Sequence, residues 1–325
     1  MERVLRAIRA EQPAAGLAEQ FARAWPEYRR WYLRDGPGAR PMLDECRAAL
    51  LRYMPALLPT WERIVSGVGG GDLPARFLSL WRPRPFLTGC SQAAWTRQSP
   101  YFLVRNYDYH PALWESVLLW SNWNGRRVIA MTDCLWGVLD GTNDAGLVVA
   151  LSFGGRRVVG VGFGLPIILR YILEFCATTE EAVDVLRTVP SHMAYNVTLL
   201  DASGDARTVQ VGPDRETCVL PLPHATNHQG TPDWEEYARS TATLARDAFL
   251  AERLGDPSES AERFVERFLE PPLYVSEFGR GWGTLYTAVY GASGAGQVTL
   301  RWPGQEMAHR IGEFAEGEVL LRFPG

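Results

Sequence analysis

The amino-acid sequence changes character at residue 90, and this change constrains the fold more than any other feature. Residues 1–89 carry apolar side chains at helical spacing on a background rich in arginine and glutamate, which predicts helices. Residues 90–325 begin with short apolar runs bounded by Gly, Asn and Asp, which predict strands. Helical segments follow, and strands resume toward the end of the chain. Strands and helices grouped in runs predict an α+β fold, with antiparallel sheets covered by helices.

The same periodicities predict the individual elements. In the first part, helices are predicted over residues 1–33, 41–51 and 57–65. In the second part, strands are predicted over residues 102–104, 117–120, 128–131, 147–153, 195–200, 206–211, 284–290 and 297–302. Helices are predicted over residues 165–175, 179–188, 233–254 and 259–269.

The composition excludes several classes of protein. With 46% hydrophobic residues and 12 Trp, 12 Tyr and 13 Phe among 325 residues, the chain has enough apolar area to fold. Its 33 basic and 37 acidic side chains give a net charge of −4, unlike the basic surface of a nucleic-acid-binding protein. The longest apolar candidate, residues 158–171, is interrupted by Pro166, and the charged N-terminus does not resemble a secretory signal. We therefore expect no nucleic-acid or membrane partner and a cytoplasmic location.

Metal and cofactor motifs are missing from the sequence. The five cysteines form no CxxC pair, and the five histidines form no HExxH motif. The sequence also contains no GxSxG elbow, no GxxxxGK[ST] loop and no dinucleotide-binding GxGxxG fingerprint. We therefore expect no metal, no cofactor and no disulfide framework. Four cysteines are expected to be buried packing residues, namely Cys46, Cys134, Cys176 and Cys218.

Cys90 differs from these four because it follows a glycine at the boundary between the two parts of the chain. Gly89 places little bulk beside its own carbonyl group and permits strained backbone geometry. The Cys90 thiol can attack that carbonyl to give a thioester, in which the α-amine of Cys90 is free, and water hydrolyses the thioester. That amine, with an unperturbed pKa of about 8, can serve as the base for its own thiol. Nucleophile and base then lie on one residue, so no histidine is required.

Several motifs follow Gly89-Cys90 along the chain. They are Arg105-Asn106-Tyr107-Asp108, Asn143-Asp144-Ala145-Gly146-Leu147, Tyr195-Asn196-Val197-Thr198-Leu199-Leu200-Asp201, Thr226-Asn227-His228 and Gly283-Thr284-Leu285-Tyr286. In this order they resemble the cysteine-type N-terminal nucleophile hydrolases, most closely the autoproteolytic acyltransferase branch that contains isopenicillin-N acyltransferase. Choloylglycine hydrolases and penicillin V acylases are more distant relatives.

The resemblance implies an αββα sandwich with a helical leader, residues 1–89, that packs across the nucleophile. It also implies autoproteolysis between Gly89 and Cys90, which gives a non-covalent pair of chains and leaves homo-oligomerisation open. The second chain, residues 90–325, is the implied catalytic domain. The implied activity is hydrolysis or acyl transfer at a C–N amide bond of a small-molecule acyl amide, through a thioester on Cys90.

The resemblance further implies roles for individual residues. Cys90 is the expected nucleophile and, after cleavage, the α-amino base. Arg105 is expected to hold the thiolate and orient the amine, and Asp108 to accept a hydrogen bond from that amine. Asn227 is expected to donate its side-chain amide to the oxyanion. The residues alone also allow a surface strand arginine at position 105, and turn residues at positions 108 and 227.

Three more positions complete the predicted site. Ser152 and Phe153 end a strand that matches a motif of the family, and we expect them to contribute to binding. Ser152 stands where bile-salt-type relatives carry asparagine, so a backbone N–H is the expected contribution there. Arg280 either matches a C-terminal arginine of the site or forms a surface salt bridge.

Two other functions remain open at this point. A non-catalytic relative would keep the fold as a scaffold, or bind a small molecule, without cleaving its own chain. A thiol protease would pair Cys90 with His224 or His228, although the sequence around Cys90 is unlike the papain type. Mass spectrometry separates the first alternative from an enzyme, since cleavage yields two chains that meet at Cys90.

Overall fold

The computed structural model describes residues 1–14 and 16–323. Within these residues the strands are β1 (Glu2–Ala10), β2 (Gly89–Trp95), β3 (Phe102–Tyr109), β4 (Val117–Ser121), β5 (Val128–Asp133), β6 (Gly137–Asn143), β7 (Val148–Phe153), β8 (Tyr195–Leu200), β9 (Ala206–Val211), β10 (Cys218–Leu220), β11 (His224–Ala225), β12 (Gly283–Gly291), β13 (Gln297–Trp302), β14 (Gln305–Arg310) and β15 (Gly317–Arg322). The helices are α1 (Leu17–Tyr32), α2 (Leu43–Tyr53), α3 (Leu58–Gly67), α4 (Asp72–Leu78), α5 (Leu165–Phe175), α6 (Thr179–Thr188), α7 (Glu235–Ser240), α8 (Thr243–Gly255) and α9 (Ala261–Glu266).

The strands form two sheets. In the described residues, one sheet has nine strands in the order β10-β9-β8-β7-β6-β5-β4-β1-β15, and the other has six in the order β11-β2-β3-β12-β13-β14. Among these described strands, β1 and β4 run parallel and the other neighbours run antiparallel. Every residue of β2 is buried, because one face of this strand meets the larger sheet and the other meets helices.

The two sheets stack face to face, and helices cover their outer faces. Gln92 on β2 joins the sheets, since its Nε2 donates to the Ala150 carbonyl at 3.1 Å and to Thr198 Oγ1 at 2.9 Å. Helices α5 and α6 pack on the nine-stranded sheet. A separate apolar cluster joins the six-stranded sheet to α8 and α9, with Trp95 beside Phe264. The predicted α+β fold is therefore confirmed as an αββα sandwich.

The first strand differs from the sequence prediction. Residues 2–10 were expected to be helical, but they form β1, which lies between β4 and β15. Leu5 and Ala7 are buried, and Leu5 pairs with Val319 near the other end of the chain. Apolar residues at positions 4, 5 and 8 fit a helix locally. Residues 2–10 form a strand instead, because their backbone N–H and C=O groups form hydrogen bonds with neighbouring strands on both sides. The leader is therefore not wholly helical.

The rest of the leader is a helical layer. Helices α2 and α3 lie within two residues of the predicted bounds, and α4 is an additional helix. The ring of Phe77 on α4 packs against Trp25, Tyr28 and Tyr32 of α1, with ring centroids 5.4, 4.8 and 5.7 Å apart. This aromatic contact fixes α1 against the segment that leads to β2.

Candidate active site

Pairing of β2 with β3 places the predicted nucleophile beside the predicted arginine. Cys90 lies opposite Tyr107 in the register, and Arg105 lies two residues away on the same face of β3. The Nη2 atom of Arg105 is 2.8 Å from the Cys90 Sγ atom. Both side chains are fully buried, so the alternative of a surface strand arginine is excluded.

The thiol lies in a dry environment. Burial raises the pKa of Cys90, and the Arg105 charge opposes this rise. Thr88 provides the other polar contact, with its Oγ1 atom 3.8 Å from Sγ. In the intact chain, Arg105 is therefore the strongest stabiliser of the thiolate among these neighbours.

Arg105 is itself held by a carboxylate on the opposite sheet. Its Nη1 atom donates to Asp140 Oδ2 at 2.5 Å and to the Leu139 carbonyl at 3.1 Å. Asp140 also accepts hydrogen bonds from the hydroxyls of Tyr286 and Tyr290. The guanidinium and the carboxylate are both fully buried, so each charge needs the other to offset the free-energy cost of its removal from water. Sequence reasoning did not identify Asp140, because nothing local distinguishes it from other strand residues.

Asn227 lies against the backbone on both sides of the Gly89-Cys90 bond. Its Oδ1 atom accepts the Cys90 N–H at 2.8 Å, and its Nδ2 atom donates to the carbonyls of Thr88 and Phe153, both at 3.2 Å. The side-chain orientation is well determined by chemistry, since oxygen faces donors and nitrogen faces acceptors. The structure thus brings Asn227 next to Cys90 and shows that it is not a simple turn residue, while its donation to the oxyanion stays a prediction.

Asp108 lies on the other face of β3 from the thiol, opposite Gly89. Its carboxylate accepts a hydrogen bond from Thr284 Oγ1 at 2.7 Å and is 3.8 Å from Arg246 Nη1. Burial raises the pKa of Asp108, and the Arg246 charge opposes this rise. In the intact chain, Asn227 rather than Asp108 accepts the Cys90 N–H. The role of Asp108 toward a free α-amine remains a prediction.

Arg246 is a site residue that sequence reasoning missed. Its Nη1 atom donates to the Cys90 carbonyl at 2.6 Å and to Ser91 Oγ at 2.7 Å. Its Nη2 atom donates to Asn227 Oδ1 at 2.9 Å. The sequence held one signal, because residues 243, 246 and 250 share the buried face of α8 and an arginine there needs buried partners.

Arg280 does not take the place expected for a C-terminal arginine of the site. Its side chain is 83% exposed and pairs with Glu277 at 3.1 Å. This is the surface salt bridge that the sequence left as the alternative. Arg246, and not Arg280, joins Arg105 beside Cys90, because α8 packs on β2 while Arg280 lies in a short exposed turn.

Ser152 and Phe153 support the Asn227 segment. Ser152 is buried, and its hydroxyl donates to the Thr226 carbonyl at 2.8 Å. The Phe153 carbonyl accepts from Asn227, and its ring packs 5.3 Å from the ring of Tyr237. Their predicted role in binding remains untested, while their contacts with residues 226 and 227 are direct.

Gly89 occupies a position with no room for a side chain. A Cβ atom there would lie 2.4 Å from Trp282 Cζ2 and 3.2 Å from Asp108 Cβ. The glycine is thus required by the close approach of Trp282, independently of its place beside the thiol.

The histidines do not contact the thiol in the described residues. His224 Nε2 and His228 Nε2 instead lie 3.6 and 4.0 Å from the carboxylate of Asp247. Burial lowers the pKa of both histidines. Within the described residues, no group of three side chains is arranged to hold a metal ion. Cys218 is exposed, contrary to the expectation that it is a buried packing residue.

A cavity of about 1020 Å³ lies between α1 and the segment that follows β3. Aromatic side chains form part of its wall, including Trp31, Phe86, Tyr109 and Trp114. Tyr109 packs 5.8 Å from Tyr107, the residue opposite Cys90. The cavity is large enough for a small organic molecule, and Cys90 is not among the residues that line it.

Comparison with known proteins adds a family match. Residues 95–306 match the model of the family described as acyl-coenzyme A:6-aminopenicillanic acid acyl-transferase. The matched region contains Arg105, Asp108 and Asn227, and it begins just after Cys90. Among curated proteins, none matches the chain.

Three solved structures are similar to this chain at low identity. Penicillin V acylase from Agrobacterium tumefaciens has 15% identity over 67% of this chain and 84% of that chain, with a TM-score of 0.44. The Caenorhabditis elegans ortholog of N-acylethanolamine-hydrolyzing acid amidase has 17% identity over 62% and 92%, with a TM-score of 0.46. A mutant of the conjugated bile acid hydrolase from Clostridium perfringens has 13% identity over 71% and 96%, with a TM-score of 0.41.

Proposed function

Because the chain belongs to the acyl-coenzyme A:6-aminopenicillanic acid acyl-transferase family, an N-terminal nucleophile family of amide-acting enzymes, we propose that it is an autoproteolytic cysteine amidohydrolase or acyltransferase. Its substrates are acyl-amino or small peptide-like compounds, cleaved at a C–N amide bond through a thioester on Cys90. One observation carries the proposal: Arg105 Nη2 lies 2.8 Å from the Cys90 thiol while Asn227 Oδ1 lies 2.8 Å from the Cys90 nitrogen.

The first step is cleavage of the chain itself. The Cys90 sulfur attacks the Gly89 carbonyl carbon, the C–N bond breaks, and the Cys90 nitrogen takes the thiol proton. Water then hydrolyses the thioester, leaving a Gly89 carboxylate, a free thiol and a free α-amine. Arg105 stabilises the thiolate, and Asn227 orients the nitrogen that becomes the amine.

The second step is turnover of an external amide. The Cys90 α-amine takes the thiol proton, and the thiolate attacks the acyl carbonyl of the substrate. Collapse of the tetrahedral intermediate returns that proton to the leaving amine and leaves an acyl thioester on sulfur. Water or a second amine then accepts the acyl group, and the acceptor decides between hydrolysis and acyl transfer.

The cavity beside α1 supports a small-molecule acyl amide as the partner. In the described residues, no helix is long and apolar enough to cross a membrane. We also propose a cytoplasmic location. The relationship to autoproteolytic peptidases is likewise part of the proposal.

Intact mass spectrometry tests the function. Wild-type protein should yield two chains that meet at Cys90, whereas Cys90→Ala should yield a single chain near 36.3 kDa. Cys46→Ala, which removes a buried thiol in the leader, is the matched control and should process like the wild type. Efficient cleavage of Cys90→Ala would exclude the proposed nucleophile. Absence of both cleavage and acyl adducts in the wild type would favour a non-catalytic scaffold or binding protein.

A further inference from the structure

Two side-chain donors converge on the carbonyl group of Thr88, two residues before the nucleophile. Asn227 Nδ2 lies 3.2 Å from this oxygen, and the Tyr237 hydroxyl lies 2.8 Å from it. The side chains of all three residues are buried. One carbonyl oxygen with two lone pairs is thus bound by two fixed donors in a site without bulk water.

Thr88 also contacts the reactive sulfur, through its side chain. The same residue, Thr88, places its Oγ1 atom 3.8 Å from Cys90 Sγ. Asn227 contacts the Cys90 nitrogen with its oxygen and the Thr88 carbonyl with its nitrogen, so its amide spans both groups. The position of the Thr88 oxygen is therefore one at which an acyl oxygen would receive hydrogen bonds from both donors, one of which also contacts Cys90.

The Tyr237 ring is held firmly in this position. It packs between Phe153 and Trp234, with ring centroids 5.3 and 5.0 Å away. Burial and the nearby Cys90 raise the pKa of Tyr237, so its hydroxyl stays protonated and remains a donor. A fixed donor aimed at developing charge needs no reorganisation when the charge appears.

We propose that Tyr237 is a second oxyanion donor, acting with Asn227 on the acyl oxygen of the substrate. In the intact chain the Thr88 carbonyl accepts hydrogen bonds from both of these donors. Once the chain is cut and the segment that ends at Gly89 moves away, the Tyr237 hydroxyl loses this partner and Asn227 Nδ2 keeps only the Phe153 carbonyl, which is costly. The acyl oxygen of a substrate restores both hydrogen bonds. The proposal rests on the proposed function, because it assigns a residue to that reaction.

The phenol of Tyr237 transfers no proton in this step. The Cys90 thiolate forms a bond to the acyl carbon, and the π electron pair moves onto the acyl oxygen. Tyr237 and Asn227 donate hydrogen bonds to that oxyanion and keep their protons. When the C–N bond breaks, the electron pair returns to the carbonyl, and the leaving amine takes the proton held by the Cys90 α-amine.

Two probes separate oxyanion stabilisation from thiol reactivity. Acylation by p-nitrophenyl acetate passes through an oxyanion, whereas alkylation by iodoacetamide does not. Both rates are measured on processed protein that carries Cys218→Ala, because the exposed Cys218 thiol would otherwise react. Tyr237→Phe should slow acylation about 100-fold, as expected for the loss of one oxyanion donor, and leave alkylation within a few-fold.

The matched control is Tyr195→Phe. Tyr195 is also a buried tyrosine that packs on Phe153, but its hydroxyl contacts the Met193 sulfur at 3.7 Å. This variant should keep both rates. Equal acylation by Tyr237→Phe and the wild type would overturn the inference, and so would an equal fall of both rates, which would indicate a general structural role.

The outcome for processing is also decisive. In the intact chain Tyr237 binds the Thr88 carbonyl and not the scissile Gly89 carbonyl, so Tyr237→Phe should still cut its own chain. Failure of this variant to process would overturn the inference. If the wild type itself neither processes nor reacts with p-nitrophenyl acetate, the proposed function fails, which is a different result from normal acylation by Tyr237→Phe.

Discussion

At the scale of single residues, the site is a set of buried polar side chains that each have defined partners. Arg105 contacts the sulfur of Cys90, and Arg246 contacts its carbonyl. Asn227 contacts its nitrogen. The three atoms of the nucleophile that matter for chemistry are therefore each held by a different side chain. This division predicts different consequences for each substitution.

Arg105→Leu should raise the pKa of the Cys90 thiol, because Arg105 opposes the effect of burial. The rate of alkylation by iodoacetamide should therefore rise at higher pH than in the wild type. Asn227→Ala should keep the wild-type midpoint and lower kcat about 100- to 1000-fold, since an amide does not change protonation. The pH profile of alkylation in a Cys218→Ala background is the measurement. An unchanged midpoint in Arg105→Leu would contradict this account.

Arg246→Leu and Arg280→Leu form a matched pair. Removing the buried guanidinium leaves Asn227 Oδ1 with one donor fewer and removes the cation near Asp108, so the free energy of unfolding should fall by about 3–5 kcal/mol. Arg280 is exposed in a surface ion pair, and its loss should cost less than about 1 kcal/mol. Urea unfolding and the extent of self-cleavage compare the two. Equal effects would mean that Arg246 is not the arginine of the site.

Gly89→Ala should hinder self-cleavage by a steric route. The new Cβ would meet the Trp282 ring at 2.4 Å, so either the strand or the ring must move. Trp282→Ala removes the ring, and in that background Gly89→Ala should cost much less stability. A double-mutant cycle of unfolding free energies measures the coupling. Additive effects would show that the contact with Trp282 does not explain the glycine.

At the scale of elements, α1 is attached to the rest of the molecule through a pair of partly buried carboxyl groups. The Tyr28 hydroxyl lies at hydrogen-bond distance from Glu115 and Asp133. Burial, and then the charge of Asp133, raises the pKa of Glu115 to about 8. Burial raises the pKa of Asp133 to about 6. The contact between the leader and the body thus contains groups that titrate near neutral pH.

The sign of the pH effect follows from these raised pKa values. A carboxyl whose pKa rises on folding favours the folded state fully below its ordinary pKa near 4, and this stability is lost as the pH rises through about 6 and about 8. The urea concentration at the unfolding midpoint should therefore decrease from pH 5 to pH 7 and again from pH 7 to pH 9. Glu115→Gln does not titrate and should show a smaller fall. Parallel curves for the variant and the wild type would exclude Glu115 as the origin.

At the scale of the whole molecule, the two ends of the chain meet in the larger sheet. Strand β1 pairs with β15 on one side and with β4 on the other. The leader therefore contributes a strand to the core of the larger sheet. Cutting the chain before Cys90 leaves all of these strand contacts unbroken.

The processed chains should consequently remain together. They should co-elute on gel filtration at the position of uncut Cys90→Ala protein, and separate only when urea unfolds the sheet. The reason is that release of β1 exposes apolar residues and unpaired backbone groups on two neighbouring strands. Dissociation of the leader under native conditions would contradict this expectation.

The sequence by itself determined the features that depend on local pattern. Helix α5 and strands β8, β9 and β13 have the predicted bounds, because apolar periodicity and flanking turn residues lie within each segment. The family and the αββα fold were likewise predicted from ordered motifs and are confirmed. The approach of Arg105 to Cys90 was implied by the family resemblance, and the pairing of β2 with β3 places both side chains on one face.

Only the tertiary structure decided the features that depend on contacts between distant parts of the chain. Strand β1 exists because residue 5 pairs with residue 319, and no local window contains that information. Arg246 contacts Cys90 from α8, Asp140 on the opposite sheet holds Arg105, and Tyr237 on α7 contacts the Thr88 carbonyl. Each is an ordinary residue in its own segment. Its role arises because buried polar groups must find partners wherever the fold brings them together.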